Sequence, residues 1–288
     1  MNRIMLYTET LRVLSIQSHV VFGYAGNKAA VFPMQKLGIE VSPVYTVQLS
    51  NHTEYPCYKG SFFSSEDIQE VISGLEENNF LTKHDAILSG YIGNPNLAEV
   101  IANTVKKMKS ANDNTIYCCD PVFGDFYDYQ EKGEIFATEA HPKMFLEHLL
   151  PLADIVTPNL FELSILTEQN INNYEQLKNA CAILVEKNNK PNQIVVTTST
   201  SFDKSKTGIA VFHKDDFFYM ETPKYKVQSK VSGSGDITAA MFLSYILKGF
   251  DTKTSIEKII TALDGIFKTT SKLNTEELAL IQAQDYIK

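Results

Sequence analysis

Short runs rich in Val, Ile, Thr and Tyr alternate along the chain with longer stretches whose apolar positions recur every three or four residues. The first pattern predicts strands and the second amphipathic helices. Strands are expected at RVLSIQS from Arg12, VSPVYTVQL from Val41, DAILSGY from Asp85, TIYCCDPV from Thr115, DIVTPN from Asp154 and QIVVTTST from Gln193. Helices are expected in the gaps, among them SEDIQEVISGLEEN from Ser65, NLAEVIANTVKKMKS from Asn96 and YEQLKNACAILVEKN from Tyr174. Each opens near a capping or acidic residue and turns basic or polar toward its end, the polarity that suits the helix dipole. This alternation predicts an α/β fold with a mainly parallel central sheet flanked by helices.

From Thr207 the rhythm changes. TGIAVFHK and DFFYMETPKY are adjacent strands split by Lys214 and Asp215, which predicts an antiparallel hairpin near the C-terminal third. GSGDITAAMFLSYILKG and two further helical stretches then close the chain with a helical layer. No repeat, low-complexity tract or long linker divides the chain, so residues 1–288 read as one domain. Ser18 and His19, Ser89 to Tyr91, Asp120 and Pro121, Thr157 to Asn159, and Thr197 and Thr198 all fall at the carboxyl end of a predicted parallel strand. Open α/β sheets bind ligands at that edge, so these positions point to one shared site.

Charge narrows what the site can serve. A formal net charge of -8 and a pI near 5.3 oppose the phosphate backbone of nucleic acid and anionic membrane surfaces, so neither is expected as a partner. An anionic ligand must then be held by a local device: a helix N-terminus, a glycine turn or a metal ion. The four cysteines show no CxxC pair or disulfide framework, and the opening MNRIMLYTET lacks the apolar stretch of a secretory leader. No stretch approaches the ~18 consecutive apolar residues of a membrane span. A cytoplasmic location is expected.

GSGDITAAMFLSYIL, from Gly233 to Leu247, is that local device. Gly233 and Gly235 bracket Ser234 and permit a tight turn with converging N–H groups, and the following helix points its positive end at it. Asp236 lies in the first helical turn, where it can stay ionised and accept a proton from an attacking alcohol. A plain N-cap role for Ser234 or Asp236 is the alternative. There is no GxxxxGK[ST] in the chain, and GYAGNKAA from Gly23 has the wrong spacing for one.

The run VLSIQSHVVFGYAGNKAAVFPMQKLGIEV followed by VQLSNHTEY resembles the amino-terminal signature of pyridoxal kinases. LSGYIGNP from Leu88, CDPVFGD from Cys119, PLADIVTPNLFEL from Pro151, VVTTS from Val195 and GSGD resemble that family in the same order, over nearly the whole chain. The resemblance implies a ribokinase-like three-layer sandwich that transfers the ATP γ-phosphoryl group to the 5′-hydroxymethyl of pyridoxal or a related vitamer. It implies that Ser18, Val47, His52, Thr53 and Glu54 line the substrate pocket and that Asp236 is the proton acceptor beside Gly233, Ser234 and Gly235. It places Asp120, Asn159, Glu162, Thr197, Thr198, Val227, Gln228, Ser229, Gly233 and Ser234 along ATP, and Asp120, Asp125, Thr157 and Glu162 near Mg²⁺. Oxygen donors suit that hard cation. K⁺ or Na⁺ are candidate monovalent activators, and a homodimer is the implied assembly.

Some positions depart from the pattern. Glu54 stands where glycine or glutamine is expected, adding a carboxylate beside Thr53. FYDYQEKGEIFATEAH from Phe126 matches only loosely and reads as a flap over the site. Cys118 and Cys119 read as buried structural residues, and the six histidines show no zinc-ligand spacing. His19 and His52 read as pocket-adjacent or hydrogen-bonded residues. Hydroxymethylpyrimidine kinase is the nearest rival, but it usually carries cysteine in place of the motif aspartate. Superfamily sugar kinases typically have an early glycine pair where SIQSHVVFGY stands here. A non-catalytic vitamer-holding protein is the rival from another class.

Overall fold

Strand β1 (Arg12–Val20) is buried along most of its length, and its side chains alternate between two cores: Leu14 and Ile16 enter one, Val13 the other. β4 (Ala86–Ser89) repeats the division with Ile87 against Ala86 and Leu88, and β5 (Ile116–Cys119) with Cys119 against Cys118. Strands covered on both faces are largely apolar, as β4 and β5 are; in β1 the buried Ser15 and Gln17 interrupt the run, and Gln17 Nε2 donates to Ser15 Oγ at 2.8 Å. The structure, a computed structural model, describes residues 10–127, 132–227 and 231–288.

With β2 (Glu40–Leu49), β3 (Gly60–Phe62), β8 (Ile155–Val156), β9 (Ile194–Thr198), β10 (Lys206–His213) and β11 (Asp216–Pro223) these strands form a nine-stranded sheet of order β11-β10-β9-β8-β5-β4-β1-β2-β3. The run from β9 to β2 is parallel, while β10, β11 and β3 pair antiparallel. The predicted hairpin is present, with Lys214 and Asp215 both at positive φ (51° and 70°) between His213 and Asp216. Two positive-φ residues in a two-residue loop match the right-handed twist of the strands they join.

Helices α1 (Asn27–Lys36), α7 (Ser234–Leu247) and α8 (Thr252–Leu273) cover one face and contribute to one core. Helices α2 (Ser65–Glu77), α3 (Leu97–Ala111), α4 (Ala140–Met144), α5 (Leu160–Thr167) and α6 (Tyr174–Lys187) supply the other. This is the three-layer arrangement expected. α2 opens on a capping box in which Ser64 accepts from the Asp67 N–H and Asp67 accepts from the Ser64 N–H.

One expectation needs correction. After α7 there is one 22-residue helix, α8, and then an irregular tail ending in a short 3₁₀ turn, not two helices. The stretch read as a flap contains an antiparallel ribbon of β6 (Gly124–Tyr127) and β7 (Lys132–Ile135). The ribbon sits on Phe161, whose ring fills the space that side chains at Gly124 and Gly133 would occupy.

The sheet changes direction at β1: the chain steps outward to β2 on one side and returns to β4 on the other. Such a switch opens a crevice at the carboxyl ends of the two strands.

Candidate active site

At that switch β1 and β2 slip out of register. Gln17 pairs with Tyr45 but His19 pairs with Gln48, so two steps on β1 face three on β2. A bulge of this kind re-aims side chains and leaves carbonyls unpaired. Buried Asn27, the first residue of α1, takes up that slack: its Nδ2 donates to the Gln17 carbonyl at 3.0 Å and the Val44 carbonyl at 3.1 Å. The bulge turns Ser18 and Val47 into a cleft of about 320 Å³.

Three backbones then close together under the cleft. A side chain on Gly26 would lie 2.2 Å from the Ser18 carbonyl oxygen, and one on Gly233 would lie 2.6 Å from that of Tyr24. Gly26 and Gly233 both have positive φ, 54° and 94°, so glycine meets a steric and a conformational demand at once. Gly233 ends the approach to α7 without a side-chain cap, leaving the opening N–H groups of the helix to face the cleft. A Cβ at Gly235 would meet no atom within 4 Å, so the space beside its Cα is open.

Asp236 lies in the first turn of α7, where its carboxylate accepts from the Gly26 N–H. Burial pushes its pKa up to about 6, further than the Gly26 and own-backbone N–H groups can offset. Across the cleft Asp120 is buried and accepts from the Thr157 hydroxyl at 2.8 Å. Burial and then the charge of Asp236 push it up to about 8. Glu162 is raised well above the usual carboxylate range by burial and by Asp120. Its two oxygens are already engaged: Oε1 accepts from the Phe123 N–H at 2.9 Å, and Oε2 from the Asn159 N–H at 2.9 Å. Asn159 returns the cap by accepting from the Glu162 N–H at 2.8 Å, and its Nδ2 donates to the Gly124 carbonyl at 2.8 Å. Glu162 and Asn159 therefore fasten the 122–124 loop to the start of α5.

The cleft carries the carboxyl groups of Glu54, Asp120, Asp125, Glu162 and Asp236, and no Lys or Arg among the described residues that line it. Carboxylates that raise one another's pKa form a site that a divalent cation would relieve. Among the described residues no group of three or more His, Cys, Asp or Glu side chains is placed to cage a metal. That donor set fits Mg²⁺, which keeps much of its water and binds through one or two carboxylates together with substrate phosphates.

The opposite end of the cleft is walled by Val20, Ala25, Leu49, His52, Thr53, Tyr58, Phe62 and Tyr91. Apolar walls with a few polar groups suit a flat aromatic ligand. His52 is buried, and its Nε2–H donates to Glu277 Oε1 at 2.9 Å. A second cavity of about 50 Å³ adjoins the cleft at Thr198, Ser234 and Gly235 and runs between Thr222 and the α8 residues Ile260, Leu263 and Phe267.

Most of the expected residues converge. Ser18, Val47, His52, Thr53, Glu54, Asp120, Asp125, Thr157, Asn159, Glu162, Thr198, Gly233, Ser234, Gly235 and Asp236 all line the one cleft. Thr197 does not: period-two alternation turns it into the core, 3.6 Å from Cys181 Sγ, while Thr198 faces the site. Val227 is half-buried and lines neither cavity. Gln228 and Ser229 lie outside the described residues. His19 is structural, stacked on Tyr45 at 4.3 Å. Sequence reasoning missed Gly26, Tyr58, Phe62, Val122, Phe136, Val231 and Ser232, which also line the cleft. Only Gly26 offered a signal, as the residue before a helix that opens without a capping side chain.

Comparison with known proteins bears on this geometry. The family profile described as phosphomethylpyrimidine kinase matches residues 65–279. It leaves out the first 64 residues, which hold β1 to β3 and much of the aromatic-lined wall. Relatives that span nearly the whole chain include the pyridoxal kinase PdxY of Leifsonia xyli subsp. xyli, 34% identical over 96% of this chain and 95% of its own. That of Actinobacillus pleuropneumoniae is 37% identical over 96% of this chain and 94% of its own. Among solved structures, the pyridoxal kinase from Leishmania donovani in complex with ADP and pyridoxamine superimposes with a TM-score of 0.85 at 29% identity, over 96% of this chain and 95% of that one.

Proposed function

The chain belongs to the pyridoxal kinase family, and from that membership we infer that it transfers the γ-phosphoryl group of ATP to the 5′-hydroxymethyl group of pyridoxal or a related vitamer. The observation that carries this reading is the meeting of two half-sites at Asp236: an aromatic-lined pocket reached by Ser18 and Thr53, and a glycine-started helix N-terminus, both open into one cleft.

In this reading Ser18, Val47, His52, Thr53 and Glu54 hold the pyridine ring with its hydroxymethyl toward Asp236. Asp236 accepts the proton as the alcohol oxygen bonds to the γ-phosphorus and the bond to the β–γ bridging oxygen breaks, releasing ADP. Its raised pKa favours this, since a base is most useful near the working pH. The amides of Ser234 and Gly235 face the equatorial oxygens as charge spreads over them. Thr198, Ser234 and Gly235 carry the phosphate chain past the cleft rim, and the cavity between Thr222, Ile260, Leu263 and Phe267 takes the adenine. Asp120 and Thr157, with Asp125 at the rim, would hold Mg²⁺ through its water, and Glu162 keeps the loop beneath them in shape. When bound there, the cation would supply charge neutralisation for phosphates lying beside carboxylates that would otherwise repel them. The protein is read as a cytoplasmic homodimer.

The test is a panel of acceptors with Mg-ATP: pyridoxal, pyridoxine, pyridoxamine, hydroxymethylpyrimidine and ribose, each with and without K⁺ or Na⁺. Phosphorylated vitamers are expected. Product from hydroxymethylpyrimidine alone would move the chain to that activity, and vitamer binding without any product would make it a holding protein.

A further inference from the structure

Three segments far apart in sequence meet on one side chain at the acceptor end of the cleft. Glu277 lies in the tail after α8, and its side chain is only 11% exposed. Its Oε1 accepts from His52 Nε2 at 2.9 Å and from the Tyr55 hydroxyl at 2.7 Å, and its Oε2 accepts from the Tyr24 N–H at 3.3 Å. Burial alone would raise the Glu277 carboxyl, but the donors at His52 and Tyr55 outweigh it and hold the group below its ordinary range. Gly23 leaves the carboxylate its place, since a side chain there would come within 2.6 Å of it. The two loops also touch directly: Val21 N–H donates to the Leu49 carbonyl at 2.9 Å and Phe22 N–H to that of Ser50 at 2.8 Å. Glu277 itself is held by the end of α8, where the Ala279 N–H donates to Thr270 Oγ1 at 2.9 Å.

Glu277 does not line the cleft, whereas Ala25, Gly26, His52, Thr53 and Glu54 do. We propose that Glu277 is a positioning residue: reaching in from the C-terminal tail, it fixes the 21–26 and 50–55 loops relative to each other and so sets the shape of the acceptor pocket without touching the acceptor. The proposal rests on reading the cleft as a vitamer kinase site. Removing the carboxylate leaves the imidazole N–H, the phenol and the Tyr24 amide without their shared acceptor in a half-buried seam, where unmet donors are costly. Among the described residues Glu277 makes no hydrogen bond to a residue lining the nucleotide end of the cleft, which should be indifferent to it.

The test compares wild type with Glu277→Ala, Glu277→Gln and Tyr55→Phe, alone and combined, measuring KM for pyridoxal and for ATP, kcat and melting temperature. Glu277→Ala should raise KM for pyridoxal about tenfold or more and leave KM for ATP within about twofold. Glu277→Gln, which retains one acceptor oxygen, should fall between. Tyr55→Phe should raise KM for pyridoxal in the wild-type background and add nothing to Glu277→Ala, because the phenol acts through that carboxylate. A folded Glu277→Ala with unchanged pyridoxal KM, a parallel rise in ATP KM, or additive effects would overturn the proposal. If Glu277→Ala does not fold, Glu277→Gln carries the decision, and an unchanged pyridoxal KM there leaves Glu277 a folding role only. A wild-type protein that phosphorylates no vitamer defeats the functional reading, and with it this one, before any variant is compared.

Discussion

Asp236 combines two pulls that rarely coincide: a helix N-terminus that favours its ionised form and burial that opposes it. Burial wins, and a carboxylate raised to about 6 is a better proton acceptor than an exposed one. In the proposed role Asp236 must be deprotonated, so kcat/KM for pyridoxal should rise with pH through about 6 and level off above it, as a pH–rate profile would report. Asp236→Asn should lower kcat by about 10²–10⁴-fold, with pyridoxal affinity by titration calorimetry changed only a few-fold. Unchanged turnover would remove Asp236 from the mechanism. Activity gains from higher pH in this reading, but the stability linked to Asp120 does not. Its folded pKa lies above the unfolded one, so the folded state binds the extra proton, and stability is lost as pH rises toward about 8. Asp120→Asn keeps an acceptor for Thr157 and removes that charge. It should raise the melting temperature of the nucleotide-free protein by a few degrees at pH 8, raise it less at pH 5, and abolish turnover. Both aspartates were legible in the sequence, one from GSGD and one from its strand-end position. Thr197 was not separable from Thr198, because adjacent strand residues of the same type differ only in the face they take. Glu162 was identified as a site residue, but the backbone donors that occupy its oxygens are a matter of three dimensions.

Helix α7 works through its start. Gly233 has φ 94° and packs against a backbone carbonyl, which cannot move aside as a flexible side chain could. Gly233→Ala should therefore lower kcat/KM by about 100-fold or more and lower stability by roughly 1–3 kcal/mol, read by activity assay and urea unfolding. A variant with full activity would mean that the turn need not hold its amides in place. The long strands and helices were legible because their periodicity is set by burial on one or both sides. β3 and the β6–β7 ribbon were not, since strands of three or four residues that each include a glycine look like loop. The small cavity between β11 and α8 was hidden for another reason: Ile260, Leu263 and Phe267 recur at the spacing of any core-facing helical stripe.

For the whole molecule, one sheet lies between both apolar layers, with strands such as β1 contributing to each core. Loss of either layer exposes the sheet, so the chain is expected to unfold in a single transition, as the one-domain reading of the sequence implies. ADP with Mg²⁺ at about 100 times its Kd should stabilise it by about 2.7 kcal/mol, a rise of roughly 4–5 °C in melting temperature. ADP with a chelator in place of the metal should give little shift. Among the described residues no helix is long and apolar enough to cross a membrane. The switch at β1 and the strand-end polar residues made the location of the site legible, while the bulge at Ser18 that shapes it follows from register, which a single sequence does not display.

A cleft walled by five carboxyl groups with no Lys or Arg lining it among the described residues is also a sorting device. Bare polyphosphate, orthophosphate and anionic metabolites would meet like charge on whichever of these carboxyls is ionised, with no fixed side-chain cation to offset it. In the proposed function a nucleotide that brings its own cation would cancel that repulsion, so entry itself would depend on the co-substrate arriving as its metal complex.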